Sequence, residues 1–177
     1  RWELPEHFDS IRFWPLGHDG KKRAPFDRVD RALVVSPFLT ADLLGELSES
    51  GRDHAIVSRL EELERLGQSG LAGFAKHAFV LEEAADGDEE DAGEHADAGP
   101  ANRPLRGLHA KLFVLDAGWD AHVFTGSANA TTPAFSKNVE LLVHAPGKKS
   151  AVGVEKTMSE GGIGKVLRPF LPSQARP

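Results

Sequence analysis

Residues 108–143 read LHAKLFVLDAGWDAHVFTGSANATTPAFSKNVELLV. The run Leu108–Leu115 is apolar and bounded by turn residues, which predicts a buried strand. Side chains alternate along a strand, so His109 and Lys111 would point the same way, roughly 7 Å apart. An imidazole and an ammonium on an apolar strand are costly to bury without an anion or a polar pocket, and a phosphate would satisfy both. Ala121–Thr125 can pair with Leu112–Leu115 across the turn Gly118-Trp119-Asp120. That hairpin returns Ser127 and Asn129 toward His109 and Lys111. Thr132-Pro133 reads as an N-cap followed by proline at the first helical position, a source of backbone N–H donors for an anion. Asn138-Val139-Glu140 opens a third apolar strand, Val139–Val143, and sets a carboxylate where it could hold an imidazole.

Taken in order, His109-x-Lys111, Asp116, Gly126-Ser127-x-Asn129 and Asn138-x-Glu140 resemble the HKD signature of the phospholipase D superfamily of phosphodiesterases. The signature covers about a fifth of the chain. Nine residues (117–125) separate Asp116 from Gly126, where the family pattern has about six; a longer hairpin turn absorbs the difference. A buried strand with an incidental His and Lys would leave seven ordered polar positions without a use.

The resemblance implies a phospholipase D-like half-domain: an α/β fold with a mixed, largely parallel central sheet flanked by helices. It implies His109 as the nucleophile, giving a phosphohistidine that water later hydrolyses, with Glu140 as the candidate to hold the other ring nitrogen. Lys111, Asn129 and Ser127 would bind the non-bridging oxygens. Asp116, Gly126 and Asn138 would serve as structural parts of the motif, Asp116 by fixing a turn or accepting a backbone hydrogen bond. No cofactor and no metal is expected, because lysine and polar side chains carry the charge. The reaction needs two facing motifs, the second histidine acting as general acid. This sequence has one, so the other half-site is expected from a homodimer mate or from chain not present here; Arg1, which is not an initiator, fits a fragment, a processed form or an excised domain.

A nuclease-like phosphodiesterase is the preferred expectation, with Arg103, Arg106, Lys148 and Lys149 flanking the motif as cations for a nucleic-acid backbone. A phospholipid-directed hydrolase or transferase of the same superfamily is one alternative, disfavoured by the lack of an amphipathic membrane helix. A non-catalytic dimerisation or nucleic-acid-binding module is the other.

Composition bounds these readings. At 177 residues the chain is expected to form one domain, 1–177, able to build a proper core. It has no cysteine, which removes disulfides, thiolate metal sites and thiol nucleophiles. No apolar run reaches membrane-span length and no signal peptide is visible, so a cytoplasmic protein is the default expectation. The net charge of -6 is uneven: residues 82–99 hold nine carboxylates and no Lys or Arg, and the remainder carries 18 acidic against 21 basic side chains. Residues 82–104 lack large apolar side chains and are expected to form a flexible acidic loop. His95 there has no second histidine at ligand spacing.

Elsewhere Ile11, Phe13 and Pro15 alternate with Arg12 and Trp14, which predicts a short extended segment packed at an edge. Trp2, Phe8 and Trp14 read as core or interface anchors. Ala32–Val35, Ala55–Val57 and Ala78–Leu81 read as strands. Between them lie two helices: one capped by Thr40 with Leu43, Leu44 and Leu47 inside, the other opened by a Ser58/Glu61 capping box and closed by Gly67. Strand and helix in alternation imply parallel crossovers, with a ligand crevice where Ser36-Pro37 ends its strand. Val166, Leu167, Phe170 and Leu171 are expected to dock on the core. His7, His18, His54, His77, His122 and His144 show no convergent partners in the sequence.

Overall fold

A computed structural model of the chain describes residues 3–17, 26, 29–81 and 107–171. Trp2, His18, Lys21-Lys22-Arg23, Arg103, Arg106 and the acidic segment 82–104 with His95 lie outside the described residues. The strands are β1 (Arg12–Leu16), β2 (Arg31–Val35), β3 (Ala55–Val57), β4 (Ala78–Leu81), β5 (Leu112–Ala117), β6 (Asp120–Gly126), β7 (Glu140–Lys148) and β8 (Leu167–Pro169). The helices are α1 (Ala41–Ser48), α2 (Leu60–Gly70), α3 (Thr132–Ser136), α4 (Lys149–Val152) and α5 (Val154–Met158), with a 3-10 segment at Ala72–His77.

One eight-stranded sheet runs in the order β1-β7-β6-β5-β2-β3-β4-β8. The sheet is mixed and flanked by helices, but it is not largely parallel: only β2–β3 and β3–β4 pair in parallel, and the other five pairings are antiparallel. The two parallel pairings come from the helical crossovers α1 and α2, as the alternation of strands and helices predicts. The rest is meander, because β5 and β6 are joined by a tight turn and β7 follows after one short helix. Gly118 opens the β5–β6 turn at φ 63, a conformation suited to glycine at the first central hairpin position. The nine intervening residues are thus mostly strand, not extra loop.

Burial on both faces explains the apolar run of β2. Ala32 and Val34 join Ile56, Phe113, Leu115, Phe124 and Leu142 under α1, α2 and α3. Leu33 and Val35 face the other way, with Val57, Val114 and Val154 of α5. Beyond that second cluster the sheet is uncovered at β1 and β7, where Phe13 and Leu141 are exposed. β1 is the outermost strand on that side, with Pro15 opposite Leu141. β8 is outermost on the other, with Pro169 opposite Phe79. Phe170 docks as expected, whereas Leu171, the last described residue, is exposed. Among the described residues no helix is long and apolar enough to cross a membrane.

Three cap assignments differ from the sequence reading, each because tertiary partners outbid the local ones. Thr40 is the N-cap of α1 but its hydroxyl makes no cap bond; it accepts the Thr132 N–H and pairs with the Thr132 hydroxyl. Arg59, not Ser58, caps α2, while Ser58 Oγ donates to the Ser36 carbonyl at 2.7 Å. Thr131 precedes α3, and Thr132 is already helical. Gly67 does interrupt α2, at φ 60.

Two histidines missed as partners meet across β6 and β7. His122 Nδ1 and His144 Nε2 lie 2.9 Å apart, and His144 stacks on Phe124 with centroids 4.3 Å apart and an edge contact to Trp14. Their sequence separation hid the pairing. Burial, then the charges of His122 and Arg12, push His144 down to about 4. Unfolded, it titrates near 6.5, so the unfolded chain binds more protons between these values and stability must fall as pH drops through that window. We expect urea midpoints flat above pH 6.5 and declining from there toward pH 4, by on the order of 2 kcal/mol. His144→Phe should make that decline shallower, the remainder coming from His54, which burial also pushes down.

Candidate active site

The hydrogen-bond ladder of β5 stops at one position on both sides. Val35 and Thr125 are the last partners, and both face Leu112. Toward β2 the ladder ends because Ser36-Pro37 turns the chain away. Toward β6 it ends at Thr125, and the next residue, Gly126, at φ 156, closes on β7, where a Cβ would sit 2.1 Å from the Leu141 carbonyl oxygen. The strand therefore begins at Leu112, not at Leu108, and His109 and Lys111 lie on the segment that enters it. Strand alternation does not set their directions.

Other bonds hold that segment in place of a ladder. Arg59 donates from Nε and Nη2 to the carbonyl of buried Leu108, at 3.3 and 3.1 Å. Thr125 Oγ1 donates to the Lys111 carbonyl at 2.9 Å, and Lys111 Nζ donates to the His109 carbonyl at 3.1 Å. His109 is exposed and Lys111 half-buried. The residue before the histidine and the residue after the lysine are thus fixed, and the ammonium is folded back beside the His109 backbone.

The polar loop converges on the same end of the sheet. Ser127 Oγ donates to Glu140 Oε2 and accepts the Leu141 N–H at 3.0 Å. Asn138 Nδ2 reaches Glu140 Oε1 at 3.5 Å, so both carboxylate oxygens have a donor. Lys111 lies just outside β5, Ser127 just outside β6, and Glu140 opens β7. At about 4.8 Å per strand spacing, the three fall within roughly 10 Å across the sheet. Gly17, at φ 72, lets the end of β1 close against the Asn138 carbonyl, where a Cβ would come to 1.9 Å.

Asn129 is held through its neighbour. The Ala130 N–H donates to Ser36 Oγ at 2.9 Å, and Ser36 Oγ donates to the Phe38 carbonyl at 2.8 Å. The Ala130 carbonyl accepts the Thr40 N–H, and Leu39 forms a parallel bridge to Ala130. Ser36 is fully buried. Asn129 Oδ1 is buried without a hydrogen-bond partner among the described residues.

Asp116 stands apart from these groups. It is at the far end of β5, five residues past Lys111 and about 17 Å away along the strand. Its Oδ1 accepts the Val154 N–H at 3.1 Å, anchoring α5, and burial pushes its carboxyl up, opposed by that bond and by Lys149 and Arg31. Among the described residues no group of His, Asp or Glu is arranged to hold a metal ion.

Sequence reasoning missed Arg59 and Thr125, whose contacts join distant parts of the chain, and placed Ser36 only at the end of its strand. The signal available for Arg59 and Ser36 was position: each lies just past the carboxyl end of a parallel strand, where such sheets place their ligands.

No protein-family model matches the sequence, and no curated protein matches it either. Solved structures do match. NucT from Helicobacter pylori superposes with a TM-score of 0.56 at 14% identity, over 91% of this chain and 100% of that one. Nuc from Salmonella typhimurium, described as a phospholipase D family member, superposes with a TM-score of 0.50 at 18% identity, over 91% and 97%. These likenesses show that the chain has the fold of those two structures, built on the mixed eight-stranded sheet.

Proposed function

We propose that the protein is a phosphodiesterase that works through a phosphohistidine at His109 and prefers a nuclease-like substrate. The observation that carries this reading is the gathering of Lys111, Ser127, Asn138 and Glu140 at the sheet end where the His109 segment enters β5. An ammonium and an oriented carboxylate at the sheet end that carries an imidazole suit a phosphodiester: the cation meets the charge on its non-bridging oxygens and the carboxylate can hold the ring.

In this reading an imidazole nitrogen of His109 attacks phosphorus as the bond to the leaving oxygen breaks. The leaving oxygen takes a proton from an acid on the opposite side. Water then attacks the phosphohistidine, gives up its proton to that same group, now a base, and releases the phosphomonoester and the free imidazole. Lys111 and Asn129 hold the non-bridging oxygens. Glu140, oriented by Ser127 and Asn138, steadies the imidazole; Gly126 and Asn138 shape the loop, and Asp116 anchors the far end of the strand. Lysine and amides neutralise the developing charge, so turnover should survive chelators.

The acid on the opposite side is the half-site a second copy would bring. The apolar side chains Phe13, Val139 and Leu141, exposed by 72%, 80% and 47%, mark the uncovered margin of the sheet at β1 and the start of β7 and suit such a contact. A nucleic-acid backbone is the favoured substrate over lipid: α1 and α2 turn Leu43, Leu44, Leu47 and Leu63 into the core and not toward a bilayer.

Three outcomes are expected. With a single-stranded oligonucleotide and with bis(p-nitrophenyl) phosphate, turnover should persist in excess EDTA. His109→Ala should lower it by on the order of 10^3-fold or more, and acid-quench trapping should label wild type but not that variant. Loss of all activity in EDTA, or full activity in His109→Ala, would end the proposal. Phe13→Glu should convert a dimer to a monomer in sedimentation and abolish turnover together; an unchanged mass would remove that surface from the contact. Ser36→Ala strands the Ala130 N–H, which should cost about 1–3 kcal/mol in urea unfolding. Its kcat should fall about tenfold through misplacement of Asn129, with KM little changed.

A further inference from the structure

We infer that the cleft beside the His109 segment is a subsite for one unpaired nucleobase and its phosphate, next to the scissile bond. The cleft has a volume of about 660 Å³ and lies at the carboxyl ends of β3 and β4. Gly107 and Leu108 form one side of it, the two residues that lead into His109. Phe38, Arg59 and Arg168 line it as well. This inference rests on the phosphodiesterase reading above and assigns the substrate's flanking nucleotide to a place.

The Arg59 guanidinium lies over the Phe38 ring at 5.0 Å from its centroid, and Phe38 is still 43% exposed. An exposed phenyl ring backed by a guanidinium is a surface that stacks a flat ring and favours one with an anion attached. Arg59 is held by Nε and Nη2 on Leu108, so the platform is rigid before anything binds. Arg168, on the edge strand β8, faces solvent and supplies a second cation on the other side of the cleft. Glu61 and Glu62 also line the cleft. Glu62 is neutralised by Arg65 at 2.8 Å and by the Leu39 N–H, while Glu61 is exposed.

Stacking needs the face of a base. A base in a duplex shows only its edges, since its faces are covered by its neighbours, so this cleft selects single strands. Phe38 follows directly from Ser36-Pro37, and Ser36 also fixes the Asn129 loop. The base platform and the phosphate-binding loop therefore share one support.

The test uses the full chain and three probes: a fluorescein-labelled single-stranded DNA oligonucleotide, the same sequence as a duplex, and bis(p-nitrophenyl) phosphate. Phe38→Ala should raise KM and the anisotropy Kd for the single strand about tenfold, the worth of one base stack. It should leave the duplex Kd and bis(p-nitrophenyl) phosphate turnover unchanged. Phe38→Trp should restore the single strand, and Arg168→Ala should weaken it with a shallower salt dependence. Equal losses on the small diester, or single-strand affinity indifferent to both positions, would overturn the subsite. A wild type that binds the single strand through Phe38 but cleaves nothing would retain the subsite and refute the phosphodiesterase reading instead.

Discussion

The point where β5 stops pairing governs the rest of the candidate site. A strand in mid-sheet has its backbone groups satisfied on both sides, and its side chains are fixed by alternation. At Leu112 both neighbours leave together, one at Ser36-Pro37 and the other at Gly126. The residues just outside must find other partners. Arg59 and Thr125 supply them, and the outcome is an imidazole and an ammonium on backbone that is pinned but not part of the ladder. Such a segment can present its side chains to a ligand without burying charge in the sheet, where it would cost several kcal/mol.

Much of this was legible in the sequence, for reasons that can be named. β2, β3 and β4 are short apolar runs separated by helices of 3.6 periodicity, and their order leaves few topologies. The β5–β6 hairpin follows from two apolar runs around Gly118-Trp119. Three things were not legible. The balance of parallel and antiparallel pairing depended on β1–β7, β2–β5 and β4–β8, whose partners are far apart in the chain. The start of β5 depended on where its neighbours ended, which no local property of Leu108–Lys111 records. The roles of Thr40, Ser58 and Ser36 were set by tertiary hydrogen bonds that displaced the local caps and turns those residue types suggest.

The histidines illustrate the same limit. His122 and His144 have nothing near them in sequence to mark them as a pair, yet adjacent strands bring them to hydrogen-bond distance. The pair lies on the core-facing side of the sheet, against Phe124 and Trp14, away from the exposed His109. Two imidazoles in one chain thus have opposite situations: one buried where it resists protonation, one exposed at the end of the sheet.

Pro15 and Pro169 sit in the two outermost strands, one at each margin of the sheet. A sheet margin is a template on which a further chain could crystallise strand by strand into fibres, and an imino acid there deletes an amide proton the newcomer would need. The molecule is consequently blunted at both ends against open-ended polymerisation. Any association between copies is steered away from strand addition and toward contacts made by side chains.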